Sequence, residues 1–136
     1  LYWQIEDIDR LTGLAFEEVV SKLYLKMGYQ TIKTPASNDK GADVIAWKDN
    51  ARKEGLLIQC KQTAGNSNMN ACGVQEIYSA KAFYEARYAC EFQTLVITNA
   101  NDFTVNAKEL ALQNDVTLVA RNQLVALLNQ YPVAKM

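Results

Sequence analysis

The sequence contains no histidine among its 136 residues, and that absence removes whole classes of chemistry. Without histidine there is no Ser-His-Asp or Cys-His nucleophile pair, no HExxH zinc site and no imidazole general base. Catalysis must run on carboxylates, amines, amides or a bound metal ion. Cysteine is scarce too. Cys60, Cys72 and Cys90 are odd in number and widely spaced, with no CxxC pair. That argues against structural zinc and against a disulfide framework. Long hydrophobic runs are missing: stretches such as Leu56–Ile58 and Leu95–Ile97 fall far short of the ~20 residues that cross a bilayer. No secretory leader is visible, so a reducing, cytoplasmic setting is expected. A strong charge of either sign is absent, the formal net charge being −1, whereas nucleic-acid-binding domains are usually basic.

What is present is an ordinary globular composition, 49% hydrophobic and 21% charged, which argues against disorder. The length is that of one domain, expected here to span residues 1–136. The chain begins at Leu1 rather than Met, so excision from a longer protein is an open expectation.

Apolar residues at Phe16, Val19, Val20, Leu23 and Met27 form the stripe of an amphipathic helix over residues 13–27, with Thr12 placed to cap it and Gly28 to stop it. Strands are expected at Tyr29–Thr34, Asp43–Trp47 and Leu56–Lys61, the last two joined as a hairpin through Lys48–Gly55. Ala64–Gly73 reads as a loop. A helix follows over Val74–Tyr88, a buried strand over Thr94–Thr98, a helix from Thr104 to about Asn114, a strand over Val116–Val119 and a helix over Asn122–Leu128. The order αβββαβαβα is an α/β class with a mixed sheet flanked by helices on both faces.

Three places could carry chemistry. With period two, Gln59 and Lys61 point to one face of their strand, while Ile58, Cys60 and Gln62 point to the other. The pair is either a site or a strand emerging into solvent. Asp43 opens an apolar strand after Gly41, as a site acid or as a turn aspartate. The hairpin brings Asp43 near Lys61. Glu17 lies about 100° round from the core stripe, and is either a site acid or a first-turn acid favoured by the helix dipole, as Glu18 also is.

These residues resemble a known family. Gly13-x-x-Phe16-Glu17, Gly28-Tyr29, Gly41-x-Asp43-Val44-Ile45-Ala46, Gln59-Cys60-Lys61, Thr98 and Phe103-Thr104-x-x-Ala107 are together similar to the catalytic domain of Mrr-like restriction endonucleases, a branch of the PD-(D/E)xK nuclease superfamily. The resemblance spans about residues 11–128. It implies a restriction-endonuclease-like fold and a Mg²⁺-dependent endonuclease acting on double-stranded DNA, with Mn²⁺ able to substitute. Asp43 takes the place of the metal-binding aspartate, Gln59 that of an acid replaced by glutamine in this branch, Lys61 that of the catalytic lysine and Glu17 that of the helix acid. The implied metal ligands are Asp43, the Gln59 side-chain oxygen, the Cys60 backbone carbonyl and Glu17. The loop before Asp43 departs from the family pattern, leaving Asp39 as an extra ligand or a turn residue. A homodimer and a separate recognition domain are further expectations. A repair or Holliday-junction-type nuclease and a non-catalytic DNA-binding module are the alternatives.

Oxygen-ligated Mg²⁺ chemistry needs no histidine, so the opening absence fits this reading. The charge is also uneven. Residues 22–61 hold eight basic residues against four acids, whereas residues 1–21 hold one against five. The basic excess is either a phosphate-contacting surface or a solvated hairpin. The Asn66–Asn70 run is either a groove-reading loop or a surface loop.

Overall fold

The structure, a computed structural model, describes residues 1–34, 41–64 and 67–136. Its elements run α1 (Ile5–Ile8), α2 (Gly13–Lys26), β1 (Gln30–Lys33), β2 (Val44–Trp47), β3 (Glu54–Lys61), α3 (Cys72–Tyr88), β4 (Glu91–Thr98), α4 (Val105–Gln113), β5 (Val116–Val119) and α5 (Arg121–Gln130). The expected order is present, preceded by the short α1. That single turn, closed by the Asp7 carboxylate accepting the Gln4 N–H at 3.0 Å, is too brief to give a periodic signal.

Helix α2 starts where its cap predicts, the Thr12 hydroxyl accepting the Ala15 N–H at 3.1 Å. It ends where Gly28 turns to a φ of +102°, a conformation glycine adopts without strain. The Thr104 hydroxyl likewise caps α4, accepting the Ala107 N–H at 3.2 Å. Strands β3 and β4 begin earlier than expected. Their first residues, Glu54 and Glu91, are exposed charges that nevertheless pair with each other at the sheet end.

The five strands lie in chain order, β1-β2-β3-β4-β5. The β1–β2 and β2–β3 pairs are antiparallel, and the β3–β4 and β4–β5 pairs are parallel, the latter two through helical crossovers. β3 and β4 pair over eight rungs from Glu54–Glu91 to Lys61–Thr98, so β3 is interior and rigidly backed.

Alternation along the strands builds two cores. Val44, Ala46, Ile58, Cys60, Leu95 and Ile97 face Phe16, Val20 and Leu23 of α2 and Leu124 and Leu128 of α5. Ile45, Trp47, Leu57 and Val96 face Val74, Ile77, Ala80 and Tyr84 of α3 and Ala107 and Ala111 of α4. The sheet is thus covered on both faces, as the αβββαβαβα pattern required.

Candidate active site

The β2–β3 register pairs Val44 with Ile58, and the Asp43 N–H also donates to the Ile58 carbonyl, at 2.8 Å. Asp43 therefore lies against the Ile58–Cys60 stretch of β3, at the end of the hairpin remote from its turn. The Asp43 carboxylate, almost fully buried, accepts the Cys60 N–H at 2.9 Å. Lys61 ends β3 two residues beyond Gln59, on the same face. The structure thus gathers Asp43, Gln59 and Lys61 at one end of the sheet.

Cys60 turns the other way, into the α2 core. Burial pushes its thiol well above the ordinary 9.0, and the charges of Asp43 and then Glu17 push it further in the same direction. Glu17 is thus electrostatically close to this end of the sheet, half-buried at the start of α2. Gln62 also follows the expected alternation, donating to the Ile8 carbonyl of α1 at 3.0 Å.

One acid was missed from sequence. Glu76 of α3 accepts the Gln59 amide N–H at 3.0 Å and the Lys61 ammonium at 3.0 and 3.2 Å through its two oxygens. The available signal was spacing: Gly73 and Ala80 stand three before and four after Glu76, small residues on the helix face that presses on the sheet. A methyl on Gly73 would lie 3.2 Å from the Lys61 Cε, and one on Gly41 would lie 2.4 Å from the Glu76 carbonyl oxygen. Both glycines permit backbone to approach where a side chain would block it.

A hard divalent cation would need oxygen donors here. Among the described residues no three of histidine, cysteine, aspartate and glutamate cluster as a metal site. The amide supplies what that set lacks: Gln59 Oε1 is buried and has no hydrogen-bond partner among the described residues. A buried, unpartnered carbonyl oxygen beside a buried carboxylate is a donor pair suited to Mg²⁺ or Mn²⁺. Asp39 lies outside the described residues.

The surroundings sharpen the charge pattern. Lys48, Arg52 and Lys53 belong to the β2–β3 turn, at the opposite end of the hairpin from Asp43 and Lys61. Two of them are engaged locally, Arg52 over the Trp47 ring at 4.4 Å and Lys48 over the Tyr29 ring at 5.0 Å. Lys33, paired with Glu18 at 3.0 Å, lies at the site end of β1. A groove of about 810 Å³, lined by Lys48, Glu54, Gly55 and Phe92 among others, also opens at the turn end, away from the site. Of the asparagine-rich run, Asn66 lies outside the described residues, while Ser67, Asn68 and Asn70 are exposed. Met69 is pinned by exchanging backbone hydrogen bonds with Asp102 and Thr104 at 2.9 Å each.

Beyond the site, Arg121 at the start of α5 forms two hydrogen bonds of 2.8 Å with Asp9. Asn99 donates to the same carboxylate at 2.9 Å and to the Thr63 carbonyl at 2.6 Å. The network ties the chain leaving β3 and β4 to the end of α1 and the start of α5. No helix among the described residues is long and apolar enough to cross a membrane.

A family described as restriction endonuclease, Mrr_cat, matches residues 8–128. No curated protein matches the chain. Among solved structures, a crystal structure described as protein of unknown function AF1548 superposes with a TM-score of 0.71 at 20% identity. The match covers 86% of this chain and 66% of that one, so this chain spans a little under two thirds of its neighbour. The likeness extends the fold to a second protein.

Proposed function

Since the chain belongs to the Mrr_cat restriction endonuclease family, we propose that it hydrolyses phosphodiester bonds of double-stranded DNA, with Mg²⁺ as cofactor and Mn²⁺ able to substitute. The chemistry is assigned to the end of the sheet where Asp43, Gln59 and Lys61 meet. The observation that carries the reading is the buried, unpartnered Gln59 oxygen on β3, one residue before the Cys60 N–H that holds the Asp43 carboxylate.

Asp43, Gln59 Oε1, the Cys60 carbonyl and Glu17 would hold the ion. When bound, the ion supplies Lewis acidity, lowering the pKa of water and offsetting phosphate charge. The protein's own residues do the rest. Asp43 is oriented by the Cys60 N–H, so its carboxylate need not reorganise when a cation arrives. Lys61 carries a positive charge at the strand end, suited to orient a water and to offset charge accumulating on phosphorus. Its stem lies close to Gly73, and its ammonium is held by Glu76. Cutting both strands needs two such sites, so the reading extends to a dimer on DNA, with sequence choice made by a recognition domain.

The test is a plasmid cleavage assay with Mg²⁺, with EDTA, and with Lys61→Ala. Cleavage that requires Mg²⁺ and disappears in the variant is expected. Full cleavage by Lys61→Ala, or cleavage unaffected by EDTA, would overturn the reading. Linear, nicked, branched and methylated substrates in the same assay separate restriction from repair and junction cleavage.

A further inference from the structure

A primary amide has one donor end and one acceptor end, and which end faces a neighbour is set by that neighbour's chemistry. The neighbour of Gln59 is the Glu76 carboxylate, an acceptor, 3.0 Å from the amide nitrogen. Reversing the amide would set oxygen against oxygen. With the nitrogen committed to Glu76, Oε1 is the end left unpartnered among the described residues. The same carboxylate holds Lys61 through both oxygens. Gly73 lies close to the Lys61 stem and Gly41 close to the Glu76 backbone carbonyl.

We propose that Glu76 is the positioning residue of this site: its carboxylate locks the Gln59 amide with the oxygen as the metal-facing end, and anchors Lys61 beside it. The inference rests on the nuclease reading above. It also accounts for an amide at position 59. A glutamate there would bring a second carboxylate within hydrogen-bond distance of Glu76, and two like charges at that separation disfavour one another. Gln59 and Glu76 thus act as a complementary pair, the neutral member turned to the ion and the charged member behind it. The reciprocal arrangement, glutamate at 59 with glutamine at 76, preserves the donor–acceptor match with the charge moved inward.

The experiment is a Mn²⁺ titration by calorimetry, with plasmid cleavage and thermal melting alongside, on the wild type, Glu76→Gln, Gln59→Glu and the double variant Gln59→Glu/Glu76→Gln. Glu76→Gln, which keeps size and shape, should melt close to the wild type and bind Mn²⁺ about tenfold or more weakly, the usual scale for losing a residue that orients a ligand. Gln59→Glu alone should lower the melting temperature. The double variant should recover both melting temperature and Mn²⁺ affinity, which a merely structural Glu76 would not produce. Wild-type Mn²⁺ affinity in Glu76→Gln, or a double variant no better than its parents, overturns the proposal while leaving the nuclease reading in place. A wild type that neither binds Mn²⁺ nor cuts DNA overturns both.

Discussion

The Asp43 carboxylate closes the β2–β3 hairpin by accepting the Cys60 N–H at 2.9 Å, where a backbone carbonyl would otherwise stand. With the metal-holding role proposed for it, Asp43 would have two separable roles, and substitutions can split them. Asp43→Asn keeps an acceptor for Cys60 while removing the negative charge. It should melt near the wild type and lose Mg²⁺-dependent cleavage. Asp43→Ala should lose cleavage and also leave a buried N–H unpaired, at a cost of about 1–3 kcal/mol. Paired melting and cleavage measurements check both, and equal stability of the two variants would contradict the structural role.

Cys60 faces the α2 core, away from the chemistry. Cys60→Ser buries a hydroxyl among apolar side chains, so it should cost about 1–3 kcal/mol while turnover of the folded protein stays near wild type. A thiol reagent should modify exposed Cys72 in the native protein and reach Cys60 only on unfolding. A stable Cys60→Ser protein without activity would place the side chain in the site.

The glycines divide by surroundings. Gly41 has a φ of +98°, and an added methyl would lie 2.4 Å from the Glu76 carbonyl oxygen. Gly41→Ala should destabilise by about 2–4 kcal/mol and displace Asp43 with it. Gly13, with nothing within 4 Å of its added methyl, should accept alanine and gain about 0.5 kcal/mol. Urea denaturation of the two variants tests the contrast directly.

The Asp9–Arg121 pair makes an acid-side prediction. Hydrogen bonds from Arg121, and more weakly from Asn99, hold the Asp9 carboxyl below its ordinary 3.8. A carboxyl depressed in the fold contributes stability that is complete above pH 3.8 and is lost as pH falls through the lower folded value. Arg121→Met should therefore cost about 1–2 kcal/mol at neutral pH, and the gap from wild type should narrow below about pH 4. A gap constant with pH would show that the loss is packing alone.

The parts legible in the sequence are those where local chemistry and burial agree. Thr12 and Gly28 bracket α2 because a hydroxyl cap and a left-handed glycine act within one turn. The opposite facings of Gln59 and Cys60 follow from the pleat. The starts of β3 and β4 were hidden because Glu54 and Glu91 read as loop charges, and only their pairing across the sheet makes them strand. Gly55 belongs to β3 for a reason no local pattern carries, since an added methyl would lie 2.4 Å from the Phe92 ring. Glu76 was missed because its partners, Gln59 and Lys61, stand 17 and 15 residues earlier in the chain. Its role depends on a crossover that spacing alone does not reveal. The basic excess of residues 22–61 was visible as a count, but the hairpin sends part of it to the far end of the sheet.

The eight-rung ladder between β3 and β4 also sets how the site breathes. Amide hydrogens along an interior parallel ladder exchange only when the whole unit opens, whereas those of a short edge strand such as β1 exchange through local fraying. The Cys60 amide belongs to neither class: its acceptor is a carboxylate, so its exchange clock is set by how often the Asp43 side chain lets go. A cation that claims that carboxylate will change the rate at this one amide before it changes the rest of the ladder.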